Sequence, residues 1–240
     1  MNKHVNSQNT YSSMDKQVLI SMLSHQLRYP LSTARLKLKK TIRDDRMSSD
    51  TLKDLSCVAN QLNKVLDFID KILLIQKIED NAYEAGYEDI NLASFLHDII
   101  KNYDDEVRQK GLTLNVKVNS RNTIIRTDSF ILENIISNIL SNAVKYSEDG
   151  GRVAIELSCP ENEVMFKVRD QGVGIPKDEM SRLFNKFYRA SNVRESRSEG
   201  VGLGLYISRM FVSMLGGRLE LESEVGTGTC VFVTLPKAIN

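Results

Sequence analysis

Tryptophan is absent from this chain, and its 240 residues include only four prolines and three cysteines. Cys57, Cys159 and Cys230 are scattered without paired spacing. That pattern argues against a disulfide framework or a zinc site and fits buried thiols in a reducing, cytoplasmic setting. No apolar run approaches the roughly 18–20 residues of a membrane helix and no signal peptide is visible, so no membrane contact is expected from this segment. Positive and negative charges nearly cancel, leaving +1 overall. No global field therefore favours acidic lipid or nucleic acid, and a nucleic-acid partner is not expected. There is no internal repeat and no low-complexity tract. A hydrophobic fraction of 41% remains, enough for one large or two small domains.

What is present begins with two helical patterns. From Met14 to about Asp44, Val18, Met22, Leu23, Leu27, Leu31, Ala34 and Leu38 fall near one face. After a short connection, Ser49 or Asp50 is positioned to cap a second helix over about 50–80. In it Leu55, Leu62 and Ile69 recur every seven residues, as do Val58, Val65 and Ile72, and Leu52, Ala59, Leu66 and Leu73. One hairpin cannot cover so wide a stripe, so pairing with a second copy into a four-helix bundle is expected. Taken alone, the two helices fit a coiled-coil spacer equally well. His25 lies in the first of them, within Ser24-His25-Gln26-Leu27-Arg28-Tyr29-Pro30-Leu31. Pro30 has no N–H for the Gln26 carbonyl, which predicts a bend just beyond the histidine.

Asn81–Asp89 reads as a linker. Beyond it helices and strands alternate. A helix is predicted over Leu92–Lys110, then a strand over 112–118 with one buried face, and a helix capped by Asp128 and running to about Tyr146. Val153–Cys159 and Val164–Asp170 alternate as strands, about Pro176–Glu199 reads as a long polar loop, and Leu203–Leu215 as a helix ended by Gly216-Gly217. Leu219–Glu222 and Thr229–Leu235 complete the sheet of a two-layer α/β sandwich with helices on one face.

Three motifs in this second half carry chemistry. Asn134, Asn138 and Asn142 recur every four residues, with Lys145 three further on, so they share one side of a helix. Leu132, Ile135, Ile136, Ile139 and Ala143 occupy the other side. Carboxamides and an ammonium in one row suit a magnesium-bound triphosphate; the bland alternative for the row is a solvated helix face. Asp170 ends a strand and is followed by Gly172 and Gly174. A carboxylate there can accept the exocyclic amine of adenine, a contact guanine cannot make, although Asp-Gly turns at strand ends are common. Gly200, Gly202 and Gly204 open a helix whose free N–H groups favour phosphate. A dinucleotide fingerprint would need a strand immediately before these glycines, and a polar loop stands there instead. Thr229, in the turn Gly226-Thr-Gly-Thr229, is placed to bond near Asp170, or is simply part of a hairpin turn.

In order and spacing, SHQLRYPL, the asparagine row, Asp170-Gln-Gly172-Val-Gly174-Ile175 and Gly200-Val-Gly202-Leu203-Gly204-Leu resemble the catalytic core of two-component sensor histidine kinases, over roughly residues 14–236. The resemblance implies an α+β chain in three parts: residues 1–13 as a disordered tail or cloning remnant, 14–82 as a HisKA-type dimerisation hairpin, and 90–237 as a GHKL-type ATP-binding domain. It implies that His25 accepts the γ-phosphoryl group of Mg-ATP and passes it to an aspartate on a response-regulator receiver domain. Asn138 would ligate Mg²⁺, Asn142 and Lys145 would meet the phosphates, and Tyr146 would lie beside the purine. Asp170, Gly172, Gly174, Ile175, Gly202, Leu203, Gly204 and Thr229 would complete the pocket. Leu183-Phe-Asn-Lys-Phe187-Tyr-Arg189 resembles the family's phenylalanine box, with Phe187 anchoring a lid and Arg189 reaching the γ-phosphate. Such kinases often continue upstream into a sensor and membrane spans, so this segment fits the soluble part of an anchored protein.

Two positions depart from the family pattern. Gln26 stands where an acidic residue usually follows the histidine; it can fix the imidazole tautomer, but as a neutral amide it is the poorer base. Tyr29 stands where a small polar residue usually positions water for regulator dephosphorylation. Both point to weaker autophosphorylation and altered phosphatase activity, and they leave open a nucleotide-binding signalling scaffold. A GHKL ATPase clamp is a third reading; relatives of that type often carry a glutamate base where Asn138 stands, which disfavours it.

Overall fold

The computed structural model describes residues 28–29, 31–38, 41, 48–194 and 201–237. The chain divides between Tyr83 and Glu84 into two compact units.

In the first unit, positions 28–29, 31–38 and 41 are helical, and 31–38 is labelled α1. Helix α2 is Ser49–Glu79. Its cap is Ser48, ahead of the expected Ser49 or Asp50 by one or two positions: the Ser48 hydroxyl accepts the Thr51 N–H at 3.3 Å, leaving Asp50 in the first turn, where its charge favours the helix dipole. An ion pair between Arg28 and Asp70 and a hydrogen bond from Arg35 Nη1 to Asn63 Oδ1 at 3.5 Å join the two helices. Of the recurring apolar rows, Ala59, Leu66 and Ile69 are buried, whereas Val58 and Val65 remain 48% and 44% exposed.

The second unit opens where a linker was expected. Strand β1, Tyr87–Asn91, pairs antiparallel with β3, Ile124–Asp128. Only Ile90 of β1 is buried, so the five residues carry almost no alternation from which to read a strand. Asn91 then caps α3, Leu92–Lys101, its Oδ1 accepting from Ala93 and Ser94. The predicted helix to Lys110 is interrupted at Asn102-Tyr103 and resumes as α4, Asp104–Gln109. At the break, Tyr103 donates its hydroxyl to the Ser137 carbonyl at 3.0 Å.

Strands β2 (Thr113–Val118), β4 (Arg152–Ser158), β5 (Glu163–Asp170), β6 (Arg218–Glu224) and β7 (Gly228–Pro236) form a sheet in the order β2-β4-β5-β7-β6. β2 pairs with β4 in parallel, and the other pairings are antiparallel. The buried face expected for β2 is shallow: Leu114 is half-buried, while Val116 and Val118 are exposed on this edge strand. Helix α5, Ser129–Tyr146, and α7, Gly204–Met214, bring Ile131, Ile135, Ile139, Ile207 and Phe211 to a core also built from Val153, Ile155, Phe166 and Val168. One face of the antiparallel strands is thus covered, as their period-two burial requires. The result is the expected α/β sandwich. Within the polar loop, Lys177–Arg182 forms a 3₁₀ turn and Ser191–Arg194 the short helix α6.

Candidate nucleotide site

Helix α5 begins at Asp128, whose carboxylate accepts the Ile131 N–H at 2.8 Å and the Gly86 N–H at 2.7 Å. The buried residues of α5 include Leu132, Ile135, Ile136, Ile139 and Ala143, which leaves Asn134, Asn138 and Asn142 half-buried on the remaining side. The Asn138 amide donates to Ser208 Oγ of α7 at 3.3 Å, and its carboxamide oxygen lies 3.1 Å from where a Cβ on Gly204 would stand. Asn138 therefore sits at the opening turn of the glycine-led helix, more than sixty residues away in sequence. At the end of α5, Lys145 lies over the Tyr146 ring, 5.1 Å from its centre.

Asp170, at the end of β5, is only 7% exposed. It accepts the N–H of Gly172 at 3.0 Å and that of Thr229 at 3.1 Å, so the bond expected between Thr229 and Asp170 is present. Burial pushes its carboxyl up to about 6, although the two backbone donors favour the charged form. One carboxylate oxygen, Oδ1, takes both bonds. A buried carboxylate with an oxygen outside these bonds is suited to a ligand N–H donor.

The glycines prove to have a structural task that their spacing alone does not reveal. A Cβ on Gly172 would overlap the Tyr146 carbonyl, and one on Gly174, whose φ is +64°, would overlap that of Glu224. A Cβ on Gly202, with φ of +75°, would press on the backbone of Phe187 and Tyr188. These positions let protein backbone meet protein backbone: Gly172 and Gly174 join α5 and the β6–β7 turn to the Asp170 loop, and Gly202 joins the lid segment to the start of α7. Tyr146, Ile175, Tyr188 and Leu205 then pack on Leu183, Ala190 and Val193, so pieces from every motif of the second unit share one cluster. Leu203 is buried.

The lid segment is tied internally. Glu179 accepts from the Tyr188 hydroxyl at 2.8 Å and from the backbone and hydroxyl of Ser191. Asn192 donates to the Gly174 carbonyl at 2.9 Å. Arg189 is half-buried and donates to the Val193 carbonyl at 2.9 Å. Phe187 is 54% exposed with φ of +63°, an aromatic held outward in a conformation uncommon for its type. His25, Gln26, Pro30 and Gly200 lie outside the described residues. Tyr29 is helical and 79% exposed.

Ser208, Glu179 and Asn192 were not singled out by sequence. Only Ser208 carried a signal, a hydroxyl on the otherwise apolar buried face of its helix. Among the described residues no cluster of three acidic, histidine or cysteine side chains could hold a metal; carboxamide oxygens are hard donors of the kind Mg²⁺ accepts.

The asparagine helix and the glycine-opened helix meet at Asn138, and Asp170 lies buried in the same unit. Residues 127–239 match the family model described as histidine kinase-, DNA gyrase B-, and HSP90-like ATPase, and form a domain of that family. Over 225 residues, 92% of this chain, the sequence is 28% identical to the sensor histidine kinase WalK of Bacillus subtilis. It is 31% identical over 217 residues, 90% of this chain, to the sensor histidine kinase MtrB of Mycolicibacterium paratuberculosis. The chain spans only 37% and 38% of those relatives' own lengths. Among solved structures, full-length ShkA in complex with AMPPNP superposes with a TM-score of 0.76 at 23% identity, covering 92% of this chain and 46% of that one. The Acinetobacter baumannii histidine kinase AdeS gives 0.64 at 18% identity, covering 89% of this chain and 98% of that one. At these identities the superpositions establish the shared fold. No helix among the described residues is long and apolar enough to cross a membrane.

Proposed function

We propose that this chain is a histidine kinase core: its second unit binds Mg-ATP, and His25 of the first takes the γ-phosphoryl group. The observation that carries the reading is Asp170, a buried carboxylate braced by two backbone donors where the Gly172 loop meets the Gly228 turn. Its placement selects adenine through the exocyclic amine. Alignment with sensor histidine kinases over nine-tenths of the chain supports extending the reading to the hairpin.

Asn138 would hold Mg²⁺ through its carboxamide oxygen, and Asn142 and Lys145 would meet the phosphates, the lysine neutralising charge. Bound Mg²⁺ would supply electrostatic stabilisation of the triphosphate. Tyr146 and Ile175 form the apolar wall for the purine. Phosphoryl transfer forms a nitrogen–phosphorus bond on the His25 ring as the β–γ bridging oxygen departs with ADP. Gln26, through its carbonyl, fixes the imidazole tautomer. The phosphohistidine then serves as donor to a receiver-domain aspartate. Two chains pair through the hairpin, covering the exposed Val58 and Val65. The large exposed phenol of Tyr29 favours a second reading in one respect: water positioning for regulator dephosphorylation would be altered.

A single-turnover measurement with equimolar Mg-ATP separates transfer from hydrolysis. The expected result is ADP matched by phosphate retained on protein. Steady release of free phosphate without retained label would support the ATPase-clamp reading instead.

A further inference from the structure

Lys110 belongs to none of the motifs, yet it grips the nucleotide helix at its most consequential end. It follows α4, and its side chain is half-buried. Its ammonium donates to the carbonyl oxygens of Val144 at 3.0 Å, Lys145 at 2.8 Å and Ser147 at 2.8 Å. A lysine ammonium has three N–H bonds, and these carbonyls engage all of them. They are the terminal acceptors that α5 cannot satisfy within itself, at the negative end of its dipole. The carbonyl that Lys110 skips, that of Tyr146, accepts the Val173 N–H at 3.3 Å. Every carbonyl from Val144 to Ser147 is thus held, three by Lys110 and one by the loop after Asp170.

The backbone of Lys110 completes the brace. Its carbonyl accepts the Gly150 N–H at 2.8 Å, just past the helix end. On the opposite side, Ser147 bridges to Gly172 and the Glu148 N–H reaches the Gln171 carbonyl at 3.4 Å. The last turn of α5, which carries Lys145 and Tyr146, is consequently clamped between Lys110 and the Asp170 loop.

We propose that Lys110 is a positioning residue for nucleotide binding: without touching the ligand, it fixes the end of α5 so that Lys145 and Tyr146 face the pocket in register with Asp170. The inference rests on the ATP-site reading above. A bare helix end would satisfy its carbonyls with water and fray, releasing both ligand-facing side chains together.

The test uses the full chain with Mg-ATP in a calorimeter, alongside amide hydrogen exchange. Lys110→Met keeps the aliphatic stem and removes the donors; Lys110→Arg keeps the charge but spreads its donors over a planar fork. The Met variant should bind Mg-ATP between roughly ten- and a hundredfold more weakly, the scale at which remote misplacement is felt. Exchange should accelerate at Ser147, Glu148 and Val173 while the β4, β5 and β7 amides stay protected, and the Arg variant should fall between Met and wild type. Wild-type affinity in the Met variant, or acceleration spread evenly through the sheet, would overturn the assignment. Should the Met variant not fold, the Arg variant decides by the same criteria. Asp170→Asn separates the two levels. If wild type and Asp170→Asn both fail to bind, the ATP reading falls and this inference with it; if only Asp170→Asn fails while Lys110→Met binds normally, Lys110 alone is misassigned.

Discussion

Asp170 concentrates the physical tension of the site in one side chain. Its carboxyl has an ordinary value of 3.8 and is pushed up to about 6, first by burial. A folded-state value above the unfolded one means that the protonated form is favoured by folding. The associated stability is therefore complete below about pH 4 and is lost as pH rises through about 6, a cost of order 3 kcal/mol at neutrality. Asp170→Asn should accordingly be as stable as wild type or more so near pH 7.5, with the difference shrinking toward pH 4 in thermal melts, while ATP binding collapses. Binding runs the other way in wild type: affinity for Mg-ATP should fall as pH drops through about 6, because the adenine amine needs the carboxylate. A variant that binds ATP normally would remove Asp170 from the site. Residues of this kind were legible because a strand end, a carboxylate and two glycines fall within five positions. Lys110 was not, since it meets its partners across more than thirty residues and sits in no local pattern; Ser208 offered only a hydroxyl on a buried helix face, with its partner seventy residues away.

Elements make the site through backbone contacts that leave no room for a side chain. Gly174 shows this most sharply: its left-handed φ and the Glu224 carbonyl both exclude a Cβ. Gly150 shares the left-handed φ, at +75°, but has nothing within 4 Å of a built Cβ. The comparison isolates the packing contribution. Gly174→Ala should cost about 2–4 kcal/mol in chemical denaturation, against about 1–2 kcal/mol for Gly150→Ala from backbone conformation alone. Equal costs would show that the loop and the β6–β7 turn yield freely. Element type was readable wherever a long alternating or helical run existed, as in α5, β4, β5 and α7. It failed at β1, where a single buried residue carries no period, and at Asn102-Tyr103, where the helical pattern continues although Tyr103 turns its hydroxyl to the Ser137 carbonyl. The glycine spacing pointed to the right loop, but their partners, carbonyls of remote segments, could not be read locally.

For the molecule as a whole, the hairpin's apolar surface points to a second copy. Val58 and Val65 lie seven residues apart on α2 and stay exposed in the single chain, the arrangement that knobs-into-holes packing covers. Val58→Glu with Val65→Glu should convert a dimer to monomers in sedimentation equilibrium while leaving Mg-ATP binding to the second unit intact; a double variant that remains dimeric would place the interface elsewhere. The heptad rows were visible in sequence, and so was their excess over what two helices can bury. The account stands most directly on the fate of the γ-phosphoryl group. Incubation with γ-labelled Mg-ATP should leave protein label that is lost in acid, kept in base and absent from His25→Ala. Label that survives in that variant, or that resists acid, would contradict the assignment of His25 as acceptor.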